Sequence, residues 1–226
     1  MQNTTGVLFE WGAIIFIGQL NAIAVFPRER DVFLRERHDA TYSAFAFLAS
    51  YMSIEVPFSI ACAFVFALVM AFCVGLDRSF TTLALWTLCA TCAISVGESV
   101  AIMFCACFRH VGFALSVVSV NLSSMNVMSG FLSVDMPRAL DIINRASPIH
   151  YMAQIIANAQ FHGKTYGCGD ASAASCIDNG AAALQRYHFS DCGDCHREIA
   201  LMLTTTVAFR VVAFVFLAFR APYLKE

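Results

Sequence analysis

Pro27-Arg-Glu-Arg-Asp-Val-Phe-Leu-Arg-Glu-Arg-His-Asp39 packs four arginines, two glutamates, two aspartates and a histidine into thirteen residues. The runs on either side, Gly6–Phe26 and Ala40–Leu76, carry one charged residue each, Glu10 and Glu55. A charge cluster framed by apolar runs cannot lie in hydrocarbon, so it marks a membrane surface. Its arginine excess assigns that surface to the cytoplasmic side. Read as a helix, Phe26, Phe33 and Ala40 recur seven apart on one face, as do Val25 and Val32, and the charges take the rest. The stretch therefore reads as a short amphipathic helix at the cytoplasmic interface, strung between two spans. A solvated loop that does no more than fix orientation is the alternative reading.

The composition agrees. Of 226 residues, 59% are hydrophobic and 13% charged, and the mean hydropathy is +0.68. A soluble domain carries roughly twice that share of charge, so the chain is read as an all-α, polytopic membrane protein. Five apolar segments approach or exceed the roughly 20 residues that a spanning helix needs. They are residues 6–26, 40–76, 79–108, 111–134 and 199–219. The second, 37 residues long, is too long for a bilayer core, and Pro57 within it is an expected kink. Short segments on one side hold Arg28, Arg30, Arg35, Arg37, Arg109, Arg220 and Lys225, against Arg78 alone on the other. The expected orientation is N-terminus outside and C-terminus cytoplasmic. The N-terminus carries no positive charge before Gly6 and no signal-peptide pattern.

Residues 135–198 form the one long polar segment, expected outside the membrane. Within it Met152–Phe161 reads as a short amphipathic helix stopped by Gly163, and Gly167–Gly180 as a turn-rich lobe. Cys168, Cys176, Cys192 and Cys195 cluster there and read as disulfides, with the pairing open among three connectivities. His188 and His196 beside the last two cysteines raise zinc as a rival, but the spacing is not that of a four-ligand site. Cys62, Cys73, Cys89, Cys92, Cys105 and Cys107 lie in apolar runs and read as small hydrophobes.

No catalytic motif is present: there is no phosphate loop, no H-E-x-x-H and no G-x-S-x-G. The ionisable residues within spans are Glu55, Glu98 and Arg210, each expected near a span end or facing a partner or a cavity. The fourth span carries Ser116, Ser119, Asn121, Ser123, Ser124, Asn126 and Ser129. This polar series suits helix-to-helix contact, a cavity lining, or both.

Several motifs together resemble the membrane domain of ABC exporters of the G (White/pleiotropic drug resistance) subfamily. They are Gly6-Val-Leu-Phe9, Glu29-Arg-Asp-Val-Phe33-Leu-Arg-Glu36, Tyr42, Glu55-Val-Pro57 and Ser129-Gly-Phe131-Leu132. Met136-Pro137, Ser147-Pro148-Ile-His-Tyr151 and Asn158-Ala-Gln-Phe161-His-Gly163 follow in the same order, as does the cysteine-bearing loop before the last span. The resemblance covers essentially the whole chain, and the paired glutamates around Phe33 are its most specific part.

The resemblance implies that residues 1–226 are a partial transmembrane domain with five of the family's six spans and no nucleotide-binding domain. Residues 27–39 would be the coupling helix, acting through Arg28, Glu29, Arg30, Phe33, Arg35 and Glu36. A substrate pocket at the dimer midline would fall on Ile17, Ser119, Leu122, Ser123 and Asn126, with Phe131 and Leu132 as a plug above it. Ile17 stands where some multidrug members stack a phenylalanine, which argues against flat aromatic substrates, and Glu10 places an acid near the outer end of that span. The chain is then not an enzyme by itself and holds no cofactor; ATP and Mg²⁺ would sit on a cassette outside it. Its partners would be the bilayer, that nucleotide-binding domain and a second transmembrane half, and its place the plasma membrane. The expected function is the membrane part of an ATP-driven exporter of lipophilic molecules or lipids. The alternatives are a non-transporting truncated membrane fragment and an ion-coupled carrier using Glu55 and Glu98.

Overall fold

The computed structural model describes residues 10–38, 43–73, 79–108, 110–127, 147–163, 179–186 and 195–220, with Pro137, Ile142, Asn144, Phe189 and Cys192. Among the described residues the architecture is helical. A single 3-10 turn, Trp11–Ile14, leads into α1 (Ile15–His38). Then follow α2 (Ala44–Phe72), α3 (Phe80–Cys107), α4 (Val111–Val127), α5 (Pro148–Phe161), α6 (Gly180–Arg186) and α7 (His196–Arg220). Among the described residues four helical stretches are long and apolar enough to cross a membrane: Trp11–Glu36, Ala44–Phe72, Phe80–Cys107 and His196–Phe219. The chain is a helical integral membrane protein. The fifth expected span is represented by α4, 17 apolar residues, or about 26 Å of helix at 1.5 Å per residue. Residues 128–134 of that expectation lie outside the described residues.

The hub of the bundle is α3. It touches α1, α2, α4, α5 and α7, and its sequence explains why. Cys89, Ala90, Cys92, Ala93, Gly97, Ser99, Ala101, Cys105 and Ala106 are all small and buried, so neighbouring backbones approach closely, as helices in lipid prefer. The tightest approach is to α1: a Cβ on Gly18 would meet the Ile94 carbonyl oxygen at 2.1 Å, and one on Gly97 the Ile15 carbonyl oxygen at 2.2 Å. The buried cysteines of α3 thus act as the small hydrophobes expected.

Two expectations are corrected. The charged stretch is not a separate helix between spans, because α1 runs without a break through Pro27 to His38. Proline denies its helix one hydrogen bond, but buried Phe26, Arg30 and Phe33 around it hold the turn in register. The expected kink site Pro57 lies inside α2, which begins at Ala44, where the Ser43 hydroxyl accepts from the Ala46 N–H at 3.3 Å.

The second correction concerns the long polar segment. Its helix starts a turn earlier than expected, with Pro148 in the first turn, where a missing N–H costs nothing. It ends at His162, and Gly163 follows in the left-handed conformation at φ +68. Eleven of its fourteen residues are buried, more than one amphipathic face requires. It packs against α7, α3 and the Trp11 turn, with Pro148, Ile149 and Met152 meeting Cys89, Cys92, Ala93 and Met202. The Gly167–Gly180 lobe lies outside the described residues up to Asp178.

Candidate functional site

The charged end of α1 divides into an anchoring face and an outward face. Arg30 is 6% exposed. Its guanidinium donates to the carbonyl oxygens of Cys105 at 2.5 Å and Phe108 at 3.2 Å. These belong to the C-terminal end of α3, whose orphan carbonyls and negative dipole end favour a cation. The same guanidinium bridges to Asp31 at 2.9 Å. Phe33 is fully buried and stacks on Phe47 of α2, ring centroids 4.5 Å apart. Arg28, Glu29 and Arg35 are exposed and Glu36 is half-buried. Arg30 and Phe33 therefore fasten the end of α1 to α3 and α2, while the other four present charge outward.

Between α1 and α2 runs a furrow. Its lower cavity, about 470 Å³, is lined by residues including Val25, Glu29, Glu36, Phe47, Tyr51 and Glu55. Its upper cavity, about 370 Å³, is lined by Ile17, Asn21, Glu55, Phe58, Ser59 and Glu98 among others. Ile54 and Glu55 border both, so the two are one groove. Glu55 accepts a hydrogen bond from the Asn21 side chain at 2.7 Å.

Behind the groove lies a buried polar cluster. Glu98, 1% exposed, forms an ion pair with Arg210 of α7 and accepts from the Ser59 hydroxyl at 2.8 Å. Arg210 also donates to the Ser95 hydroxyl through Nε at 3.1 Å and a terminal nitrogen at 2.9 Å. The cluster thus pins α2, α3 and α7 together. For Arg210 this is the structural pairing expected of a charge inside a span.

The pocket residues do not share one wall within this chain. Ile17, 45% exposed, faces the α1–α2 groove rather than α4. Leu122 packs against the core, and Asn126 abuts Gly12, where a Cβ would meet its side-chain oxygen at 2.0 Å. Ser119 is half-buried and Ser123 exposed. Their hydroxyls donate to the carbonyls of Leu115 at 2.9 Å and Ser119 at 3.0 Å. Serines satisfied one turn back make no demand on a partner. Asn126 differs: its side-chain oxygen is buried with no hydrogen-bond partner among the described residues. Phe131 and Leu132 lie outside the described residues.

Cys192 and Cys195 form a disulfide, Cα atoms 4.9 Å apart, at the mouth of α7. The Cys192 N–H donates to the Asn158 side-chain oxygen at 3.0 Å, tying the bridge to α5. The two sulfurs and Glu198 lie within 4.8 Å of one another, but sulfurs joined in a disulfide are not thiolate ligands. Cys168, Cys176 and His188 lie outside the described residues. What the sequence reading missed was the anchoring role of Arg30 and the insertion of α5.

Residues 2–161 match the family described as ABC-2 type transporter. A yeast protein described as an uncharacterized ABC transporter ATP-binding protein/permease is 28% identical over 100% of this chain and 18% of its own length. Human ATP-binding cassette sub-family G member 5 is 24% identical over 84% of this chain and 30% of its own. ABC transporter G family member 21 of Arabidopsis thaliana is 22% identical over 79% and 27%. The chain spans less than a third of the length of each of these relatives.

Proposed function

On the premise that this chain belongs to the ABC-2 type transporter family, we propose that it is the membrane-spanning part of an ATP-driven exporter of the G type. Its cargo is lipophilic small molecules or lipids. The chain supplies the path and the lever. A nucleotide-binding cassette carrying ATP and Mg²⁺ supplies the energy, and a second transmembrane half completes the midline. The lever is residues 27–39, with Glu29 and Glu36 meeting the cassette. On the far side, Ile17 and the α4 face with Ser119, Leu122, Ser123 and Asn126 meet the second half around the cargo, below Phe131 and Leu132. The chain resides in the plasma membrane with its N-terminus and the 135–198 segment outside.

The observation that carries this reading is the continuity of α1. A charged, outward-facing end is clamped to α3 by Arg30 and runs without a break into a spanning helix. Displacement at that end moves the span as a rigid rod. An ion-coupled carrier using Glu55 and Glu98 is less well supported, since Glu98 already holds a guanidinium.

The test is made in a transporter that joins this chain to its cassette. Glu29→Ala together with Glu36→Ala should abolish most ATP-dependent efflux of a lipophilic dye from vesicles, with nucleotide binding unchanged. Full efflux by the double variant would remove the coupling role.

A further inference from the structure

The α1–α2 groove has a chemical character of its own. Its two helices present matching rows at helical spacing. On α2, Phe47, Tyr51, Glu55 and Ser59 recur every four residues. On α1, Asn21, Val25, Glu29, Val32 and Glu36 recur every three to four. Among the described residues neither cavity has a basic residue in its lining, while four carboxylates border the two. One of the four, Glu98, is neutralised by Arg210. Glu55 has no ion pair among the described residues, and its bond from Asn21 engages one carboxylate oxygen only.

A second observation, independent of the acids, points to an occupant. Tyr51 lines the same groove and is 7% exposed, yet its hydroxyl has no hydrogen-bond partner among the described residues. A buried hydroxyl left unmet costs free energy that a bound donor or acceptor removes. Tyr51 and Glu55 stand four apart on one helix face and line the same cavity. Around them lie the apolar walls of Val25, Val32, Ile54 and Phe58. A group that suits this place donates hydrogen bonds, carries positive charge and ends in hydrocarbon.

We propose that the groove between α1 and α2 binds an amphiphilic amine, its ammonium held by Glu55 and Tyr51 and its hydrocarbon along Val25, Ile54 and Phe58. Aromatic faces at Phe47 and Phe58 add to the attraction for a cation. The cavities fall in the size range of small-molecule sites. The site is separate from the α4 face assigned above, sharing with the cargo path Ile17, which lines its upper cavity, and it stands whether or not the coupling role of Glu29 and Glu36 holds.

The experiment uses the full chain in phosphatidylcholine nanodiscs without nucleotide. The probe is a fluorescent primary alkylammonium, measured beside the alcohol and the sulfonate of the same chain length. The amine should bind at least about tenfold more tightly than the alcohol, and the sulfonate more weakly than either. Glu55→Gln, which keeps the size and the contact with Asn21, should remove most of the amine's advantage and leave the alcohol unchanged. Tyr51→Phe should weaken the amine a few-fold, and Glu10→Gln, at the other end of the first span, should change nothing. Equal binding of amine and alcohol by the unaltered chain overturns the proposal, and that comparison needs no variant to fold. Undiminished amine binding by Glu55→Gln overturns it as well. Competition by phosphatidylethanolamine added to the nanodiscs would identify a lipid as the source of the same ammonium group.

Discussion

At Gly18 and Gly97 there is no room for a methyl group. The atoms that one would strike are carbonyl oxygens of Ile94 and Ile15, and backbone cannot swing aside as a side chain can. Gly18→Ala or Gly97→Ala should therefore push α1 from α3 and cost about 1–3 kcal/mol, the usual range for overpacking. Gly112, where a Cβ would meet nothing within 4 Å, should accept alanine with a change within about 0.5 kcal/mol. Thermal unfolding in detergent distinguishes them: the first two variants melt lower and the third does not. The glycines are visible in the sequence, but which of them faces a neighbour is decided by the docking of α1 on α3, which residue identity does not encode. The cysteines are a similar case. Their clustering announced disulfides and left the pairing open. The structure pairs Cys192 with Cys195, so unreduced peptide mapping should return one peptide carrying both, lighter by two hydrogens than after reduction. Free thiols at both positions in exported protein would contradict it.

At the scale of elements, α1 shows how far the charge pattern could be read. The pattern located the membrane surface and the anchoring phenylalanines, because Phe26 and Phe33 recur with helical period and both are buried. It misplaced the boundary, because Pro27 and the sudden polarity both look like an end. It also could not show that Arg30 turns inward, since the groups that receive it are carbonyls, which every residue has. Arg30→Met should lower stability by about 1.5–3 kcal/mol, the range for hydrogen bonds to a charged group. Lysine should not restore it, because an ammonium cannot span both carbonyls and Asp31 as the planar guanidinium does. Glu29→Ala, exposed, should leave the melting temperature nearly unchanged, which separates anchoring from coupling on the same helix. For α5 the sequence signal fell short in another way. The amphipathic pattern gave the helix but not its partners, and only the small residues of α3 and the Cys192 tether show why it is drawn into the bundle.

For the molecule as a whole, the apolar runs gave α2, α3 and α7 to within a few residues, since lipid tolerates little else across its core. Their arrangement depended on polar contacts that run lengths do not carry. The Glu98–Arg210 pair is the chief of these. Removing either partner strands a buried charge, so Glu98→Gln or Arg210→Met should each destabilise by about 3–5 kcal/mol. The double variant should lose less than either alone, because two neutral side chains remain where one ion did. A double-mutant cycle on unfolding midpoints measures the difference, and strict additivity would show that the pair does not hold the bundle together.

That pair also sets a clock. Glu98 and Arg210 are 112 residues apart in the chain, and a ribosome adding roughly 5–20 residues per second takes about 6 to 22 s to cover that distance. Through most of that interval α3 is already made, and among the described residues its carboxylate has the Ser59 hydroxyl to answer it. The hub of the bundle is thus incomplete until α7 is synthesised. A nascent chain stalled before α7 keeps among apolar helices an acid that the Arg210 guanidinium would otherwise answer.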